Sequence, residues 1–143
     1  RCGRLHEPCR RGQRESLYLI MEKIQCICRM RELFKALSDL EADLIANYQV
    51  TLNEAMALCS IGQETVTASV IVERTGMTPS HASKVLRSVE TKELVIRSLG
   101  EQDKRQMYFA LSEKGRNCLE EIKRKGVHVP ELLVPLFGEE EEA

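Results

Sequence analysis

The sequence TGMTPSHASKVLRSVE, residues 75–90, carries the most specific structural signal in the chain. Thr78 is a residue type that caps helix N-termini, and Pro79 fits the first helical position, where a missing N–H costs nothing. The apolar residues that follow recur at helical spacing. They predict a buried face formed by Ala82, Val85, Leu86 and Val89. The rest of the predicted helix is polar and includes Ser80, His81, Ser83, Lys84 and Arg87.

Residues 66–75 precede this helix and predict another short one, which ends at Gly76, a residue type that favours a C-cap. Two short helices joined by a tight turn are typical of a helix-turn-helix. After the second helix the apolar period changes to two, so residues 94–98 and 106–112 predict an antiparallel β-hairpin. Its tip, GEQDKRQMY at residues 100–108, indicates only a solvated turn when it is taken alone.

Helices are also predicted on both sides of this region. Residues 15–47 carry apolar residues at spacings of three and four, which predicts a helix of about 30 residues. Because the mean helix has ~11 residues, we expect this helix either to break near residues 38–39 or to pack partly on a second subunit. Thr51 and Glu54 predict a capping box for a short helix. Ser112 predicts the start of a further helix that runs to about residue 125.

The order of elements therefore predicts a mainly α-helical fold with a small β-hairpin, which is a winged helix-turn-helix. In such a fold the second helix can enter the DNA major groove, and the hairpin can reach the flanking backbone or minor groove. The predicted segments are a flexible basic arm (1–14), a long dimerisation helix (15–47), the winged helix-turn-helix DNA-binding domain (48–111), C-terminal helices that contribute to dimerisation (112–137) and an acidic tail (138–143).

Composition narrows the classes of function. With 143 residues, 43% hydrophobic and 30% charged, the chain can form one folded domain. Aromatic residues make up only 4%, which argues against a stacking platform for single-stranded nucleic acid. Because no apolar run of ~18 residues and no signal-peptide pattern occurs, we expect a cytoplasmic protein with no membrane segment. The net charge of −1 does not exclude DNA as a partner, since only the contacting face must be basic.

The chain contains six cysteines, which we expect to be buried, reduced thiols. Cys26 and Cys28 lie two positions apart, so on a helix they point in different directions and cannot pair with each other. Cys2, His6 and Cys9 match no common zinc spacing, so we expect no metal site. No phosphate loop and no nucleophile–base arrangement is evident, so we expect neither a cofactor nor an enzyme.

From about residue 50 to residue 122, the sequence resembles the MarR family of bacterial transcription regulators. VTLNEAMALCSI (50–61) resembles the helix that precedes the family's helix-turn-helix. IVERTGMTPSHASKVLRSVETKELVIR (71–97) resembles the helix-turn-helix and the first wing strand. DKR at 103–105 matches the D-x-R motif of the family's wing, and LSEKG at 111–115 resembles its L-T-x-x-G motif. Each motif alone is weak, but their order and spacing together are specific.

The resemblance implies a homodimer that binds double-stranded DNA at a pseudo-palindromic operator and represses transcription. Members of the family often lose their hold on DNA when a small aromatic or phenolic ligand binds or a cysteine is oxidised, which implies a small aromatic effector. Arg105 is the implied minor-groove residue and Asp103 orients the wing, whereas Lys84, Arg87 and Lys104 fit phosphates better than bases. The full set of implied DNA-binding residues is Thr78, Ser80, His81, Ser83, Lys84, Arg87, Asp103, Lys104 and Arg105.

Three features depart from the family pattern. Glu93 stands where the family commonly has glycine, so we expect a strained or different helix end. Val72 replaces the small alanine of the helix-turn-helix, which predicts an altered helix crossing. Residues 126–143 are short for a second dimerisation helix, which leaves more of the dimer contact to residues 15–45.

Two other functions remain open. A winged-helix module that binds protein and not DNA fits the acidic residues around the hairpin tip and the weak net charge. A cysteine-based redox-sensing regulator fits Cys26 and Cys28, which lie close in sequence to Arg29 and Arg31. Thiols that fill the core are the better interpretation of these two cysteines.

Overall fold

The computed structural model of the chain describes residues 24–137, with side chains from residue 27 onward. Its α-helices are α1 (Ile24–Tyr48), α2 (Leu52–Ile61), α3 (Ala68–Thr75), α4 (Pro79–Thr91) and α5 (Glu113–Lys125), and a 3-10 helix follows at Glu131–Leu136. The strands are β1 (Val66–Thr67), β2 (Val95–Leu99) and β3 (Met107–Leu111). The fold is therefore mainly α-helical with a small sheet, as the sequence predicts.

The described residues form two compact units, one of residues 41–128 and one of residues 24–40 with 129–137. The larger unit contains the sheet, in which β3 lies between β1 and β2 and is antiparallel to both. β2 and β3 form the predicted hairpin, with Val95 opposite Leu111 and Leu99 opposite Met107. This unit has the element order of a winged helix-turn-helix.

The first strand is an element that the sequence prediction assigns wrongly. Residues 66–75 are predicted as one helix, but Val66 and Thr67 form β1, and α3 begins only after them. Val66 pairs with Phe109 and Thr67 with Tyr108. Both residues of β1 are β-branched and fit a sheet edge once a partner strand is present. Pairing with a strand distant in sequence thus overrides the local helical pattern.

The hydrophobic core of the 41–128 unit draws on every helix and strand in it. The Tyr48 hydroxyl donates a hydrogen bond to the Gly126 carbonyl at 2.6 Å, so its polar end is satisfied while its ring is buried. Each fully buried large apolar side chain contributes ~1.5–3 kcal/mol to folding. The buried core consists of Leu44, Tyr48, Val50, Leu58, Ile61, Val66, Ile71, Leu86, Val89, Leu94, Val95, Phe109, Leu111 and Leu119.

Helix α1 is continuous through residues 38–39, so the alternative of a break there is wrong. Its predicted start near residue 15 lies outside the described residues. Along the part of α1 within residues 24–40, Ala36 and Leu40 are buried. The other large apolar side chains of this part are exposed: Ile27, Met30, Leu33, Phe34 and Leu37. Within residues 24–137, no helix combines the length and the apolar character that a bilayer crossing requires.

The end of α4 shows the predicted consequence of having Glu93 in place of glycine. Glu93 has a φ of 66°, in the left-handed region that non-glycine residues avoid at a cost of ~1–2 kcal/mol. The N–H of Leu94 donates to the Val89 carbonyl at 2.9 Å, which closes the helix in the pattern of a glycine-ended C-cap. The helix end is therefore formed in the usual way, with backbone strain at Glu93.

The cysteines differ from the predicted set of buried, reduced thiols. Cys28 is disulfide-bonded. Cys59 and Cys118 are free, but Cys59 is exposed and only Cys118 is partly buried. Burial, with the carboxylates of Glu121 and Glu54, raises the pKa of the Cys118 thiol. Because the thiolate is the reactive form, this environment makes Cys118 a poor redox sensor.

Candidate nucleic-acid interface

Helix α4 begins at a well-formed N-terminal cap. The Thr78 hydroxyl oxygen accepts a hydrogen bond from the His81 backbone N–H at 3.1 Å. Pro79 occupies the first turn, where its fixed φ suits a helix. The predicted inner face is confirmed, since Ala82, Val85, Leu86 and Val89 are all buried. This burial fixes which side of α4 is left to solvent.

The solvent side of α4 is polar and cationic. The first turn contains no acidic residue, so no carboxylate there offsets the positive end of the helix dipole. Among the described residues, neither Lys84 nor Arg87 forms a salt bridge. A helix start of this kind, with unpaired cations along the same helix, suits a phosphate-bearing ligand. The exposed residues of α4 include Ser80, His81, Ser83, Lys84 and Arg87.

Small side chains allow α2, α3 and α4 to approach closely. Ala57, Met77, Ala82 and Val85 form a second buried cluster beside the main core. Val72, where the family pattern has alanine, is half-buried and packs against this cluster. The larger side chain is therefore accommodated in the helix-turn-helix, which presents α4 at its surface.

The tip of the hairpin, which we call the wing tip (residues 100–106), is an ordered turn. The Gly100 N–H donates to the Gln106 carbonyl at 2.9 Å, and the Gln106 N–H donates to the Asp103 carbonyl at 3.0 Å. Asp103 Oδ1 accepts a hydrogen bond from the Arg105 backbone N–H at 3.0 Å and lies 3.5 Å from Arg105 Nε. Asp103 thus holds both the backbone and the side chain of Arg105 within the tip.

The cations of the wing tip project into solvent. The Arg105 side chain is 92% exposed, although Asp103 contacts its guanidinium. Lys104 and Glu101 are also exposed. A salt bridge of 3.3 Å between Arg97 Nε on β2 and Glu90 Oε2 on α4 connects the hairpin to the helix. α4 and the wing tip thus belong to one unit, and the cations of both segments are exposed.

The sequence predicts the capping role of Glu54 on α2 but not its contacts with α4. Glu54 forms the predicted capping box with Thr51 on α2, but it is only 4% exposed and also reaches α4. Its Oε2 accepts a hydrogen bond from the Ser88 hydroxyl, and its Oε1 accepts one from Lys92 Nζ at 2.7 Å. Ser88 and Lys92 lie one helical turn apart, so both can reach the same carboxylate. The signal in the sequence is Glu54 itself, a charged residue within the largely apolar helix LNEAMALCSI.

The electrostatics of Glu54 favour its charged form. Burial alone would raise the pKa of the Glu54 carboxyl, but hydrogen bonds from Lys92, Ser88 and the Thr51 backbone outweigh it and lower the pKa below its ordinary value. Lys92 also donates to the Gln49 carbonyl at 2.9 Å. The carboxylate is therefore charged and fully hydrogen-bonded between α2 and α4.

The two described histidines, His81 and His128, lie on different segments of the chain. His81 lies on α4, and the His128 backbone N–H donates to Asp43 Oδ2 at 2.9 Å. Cys2, His6 and Cys9 lie outside the described residues. Among residues 24–137, no three His, Cys, Asp or Glu side chains are grouped so as to hold a metal ion.

No family model matches the chain, and no curated protein matches it. Several solved structures match the chain. AbsC, a MarR-family transcriptional regulator from Streptomyces coelicolor, aligns with a TM-score of 0.62 and 22% identity over 77% of this chain and 76% of its own. BpsR from Bordetella bronchiseptica, whose DNA binding is regulated by 6-hydroxynicotinic acid, aligns with a TM-score of 0.62 and 18% identity over 76% of this chain and 77% of its own. MepR from S. aureus, solved in complex with DNA, aligns with a TM-score of 0.54 and 20% identity over 69% of this chain and 80% of its own.

These similarities establish the fold. The chain has the winged helix-turn-helix fold of the MarR-family regulators, as its sequence motifs imply.

Proposed function

We propose that the protein is a DNA-binding transcription regulator that acts as a homodimer on a pseudo-palindromic operator, as a repressor. The observation that carries this proposal is the placement, in one unit, of a capped helix with an exposed cationic face and a hairpin whose Arg105 is almost fully exposed. A major groove admits such a helix, and the narrower minor groove admits an arginine.

The proposed DNA contacts are of three kinds: with base edges, with phosphates and with the minor groove. Ser80, His81 and Ser83 lie near the start of α4, which is the part of a recognition helix that reaches base edges. Lys84 and Arg87 follow on the exposed surface and are assigned to phosphates, with Thr78 at the cap. At the wing tip, Lys104 is assigned to phosphate and Arg105 to the minor groove, while Asp103 holds the tip in shape.

The experiment that tests this function is selection of bound fragments from the source genome, with the mass of the protein–DNA complex measured on the best fragment. A shared site with two-fold symmetry, bound by two chains, is the expected result. If affinity purification recovers a partner protein and the selection recovers no DNA, the proposal is overturned in favour of a protein-interaction module.

Arg105→Ala is expected to weaken binding by about tenfold on all sequences and to reduce the salt dependence by about one counterion. The Arg105 backbone N–H still donates to Asp103, so the tip should keep its shape. Fluorescence anisotropy across a salt series measures both quantities. Lys123→Ala, which removes one exposed cation from α5, is the matched control. Equal affinity of Arg105→Ala and wild type on the best site would show that the wing assignment is wrong.

The homodimer part of the proposal rests on the apolar face of α1. Ile27, Met30, Phe34 and Leu37 recur at spacings of three and four, and the Phe34 residue is 71% exposed. In the same compact unit, the 3-10 segment exposes Leu132, Val134, Leu136 and Phe137. Apolar surface of this extent is typical of a protein–protein interface. A second copy of the chain is the occupant that two-fold DNA sites require.

Phe34→Glu is expected to convert the dimer to monomer at micromolar concentration, because it places a charge within an apolar contact. Sedimentation velocity measures the mass. Ala42→Glu adds the same charge to an exposed position of α1 outside the stripe and should leave the dimer intact. A dimer that survives Phe34→Glu would exclude this face as the subunit contact.

A small aromatic effector also belongs to the proposal. The 41–128 unit contains a cavity of about 510 Å³ whose lining includes Tyr48, Leu94, Cys118, Lys92 and Lys114. Its volume lies in the range of small-molecule sites. The lining combines the Tyr48 ring and Leu94 with polar side chains that include Asn47, Asn117 and Glu121, so it fits an aromatic ring with polar substituents. The 6-hydroxynicotinic acid that regulates BpsR is a suitable probe to add to the DNA-binding assays.

A further inference from the structure

Helix α4 packs on the rest of its unit through apolar side chains, of which Leu86 and Val89 join the main core. Its N-terminal half contributes Ala82 and Val85 to the cluster that also contains Ala57 and Met77. Contacts of this kind are non-directional, since their strength depends on buried area and not on angle. They hold α4 against its unit but define its rotation and its position along the axis less sharply than directed hydrogen bonds do.

The buried carboxylate of Glu54 makes two directed contacts to α4, in addition to the exposed Arg97–Glu90 salt bridge and the hydrogen bond from Lys114 Nζ to the Lys92 carbonyl at 3.0 Å. One carboxylate oxygen accepts from the Ser88 hydroxyl, and the other accepts from Lys92 Nζ at 2.7 Å. Because Ser88 and Lys92 are four residues apart, they point the same way from the helix and give it two points of attachment. Two attachments along a helix oppose both rotation and sliding, which one attachment does not.

The Glu54 carboxylate is itself fixed on the side of α2. Its Oε1 also accepts the Thr51 backbone N–H at 2.9 Å, and the Thr51 hydroxyl accepts the Glu54 N–H at 3.1 Å. Lys92 in turn donates to the Gln49 carbonyl at 2.9 Å, in the connection between α1 and α2. The start of α2 and the end of α4 are thus joined by one buried, fully hydrogen-bonded group.

We infer that Glu54, Ser88 and Lys92 are positioning residues, which set DNA affinity by fixing the orientation of α4 without contacting DNA. The inference rests on the proposed function. Ser88 directly follows Arg87 and lies one turn after Lys84, so a rotation that Glu54 prevents would displace both cations. A binding constellation works only when its groups are held within ~0.5 Å of the productive geometry.

Ser88→Ala tests the inference, because it removes one attachment and leaves Glu54 paired with Lys92. We expect DNA affinity on the selected site to fall by about tenfold, the size of one lost base contact. The salt dependence should stay at the wild-type value, since no phosphate contact is removed. Ser88→Thr keeps the hydroxyl and should restore most of the affinity. Binding is measured at a temperature where thermal denaturation shows each variant folded.

Ser60→Ala is the matched control. The Ser60 hydroxyl is also partly buried and donates to the Ala57 carbonyl at 2.8 Å, but both groups lie within α2. Its loss should lower stability by a similar amount and leave DNA affinity unchanged. If Ser88→Ala binds as tightly as wild type, or Ser60→Ala weakens binding equally, the positioning role is refuted. If wild type itself binds no DNA, the proposed function fails and the inference fails with it.

Discussion

Gly115→Ala is expected to lower the free energy of unfolding by about 3 kcal/mol or more, enough to unfold much of a marginal domain. Gly115 is buried in the first turn of α5. A Cβ at this position would lie 2.0 Å from the Leu94 carbonyl oxygen and 3.0 Å from its carbonyl carbon. Alanine is the better helix former by about 1 kcal/mol, but this gain is smaller than the cost of the overlap.

The Leu94 carbonyl cannot easily move aside. It accepts the Ser112 N–H at 3.0 Å, and Val95, the first residue of β2, follows it directly. Relief of the overlap must therefore shift α5 away from the sheet and open the core around Leu119. Glycine at this point of the LSEKG motif allows the helix to approach the strand's backbone.

Urea denaturation of the variant and of wild type measures the effect. Glu120→Ala changes an exposed residue of α5 and is expected to alter stability by less than about 0.5 kcal/mol. An unchanged urea midpoint for Gly115→Ala would mean that α5 does not approach Leu94 as closely as the structure places it.

Features that depend on neighbours in sequence were predicted well. The caps at Thr78 and Ser112 and the capping box of Thr51 with Glu54 occur as expected, each through a side-chain hydrogen bond to an N–H three residues on. The left-handed Gly76 also follows from local preference alone. Such signals are complete within one turn of chain, so the sequence contains all the information that they need.

Features that depend on distant partners were predicted poorly. β1 exists because Val66 and Thr67 find partners in β3, and no local pattern indicates that pairing. The capping box at Glu54 was evident, but its bonds to Ser88 and Lys92 join two helices that are separated by α3. The identity of the exposed residues on α4 followed from periodicity, whereas the attachment that orients them required the fold.

Glu54→Gln is expected to destabilise the protein by about 2–3 kcal/mol near neutral pH, because it replaces a buried carboxylate that accepts charge-assisted hydrogen bonds. An amide keeps the shape, but one of its two polar ends becomes a donor facing the donors of Ser88, Lys92 or Thr51. The Lys92 side chain is 39% exposed. Water can therefore solvate its ammonium after the substitution, which keeps the loss below that of a fully buried pair.

The stability lost in Glu54→Gln is expected to become smaller as the pH falls. The pKa of Glu54 is lower in the folded protein than the ordinary value of 4.5, since the hydrogen bonds from Lys92, Ser88 and Thr51 outweigh the effect of burial. A lowered pKa contributes stability that is present above the unfolded-state pKa and is lost as pH falls through the folded-state pKa. The difference in unfolding free energy between wild type and Glu54→Gln should therefore be constant near neutral pH and shrink below about pH 4.5.

Urea titrations of both proteins from about pH 7 to about pH 3 measure this difference. Glu120→Gln removes an exposed carboxylate from α5 and controls for the change in net charge. A gap between wild type and Glu54→Gln that keeps its full size at the lowest pH would mean that the stabilisation comes from packing and not from the charged carboxylate. A gap that closes would identify Glu54 as a buried charge that holds α2 and α4 together.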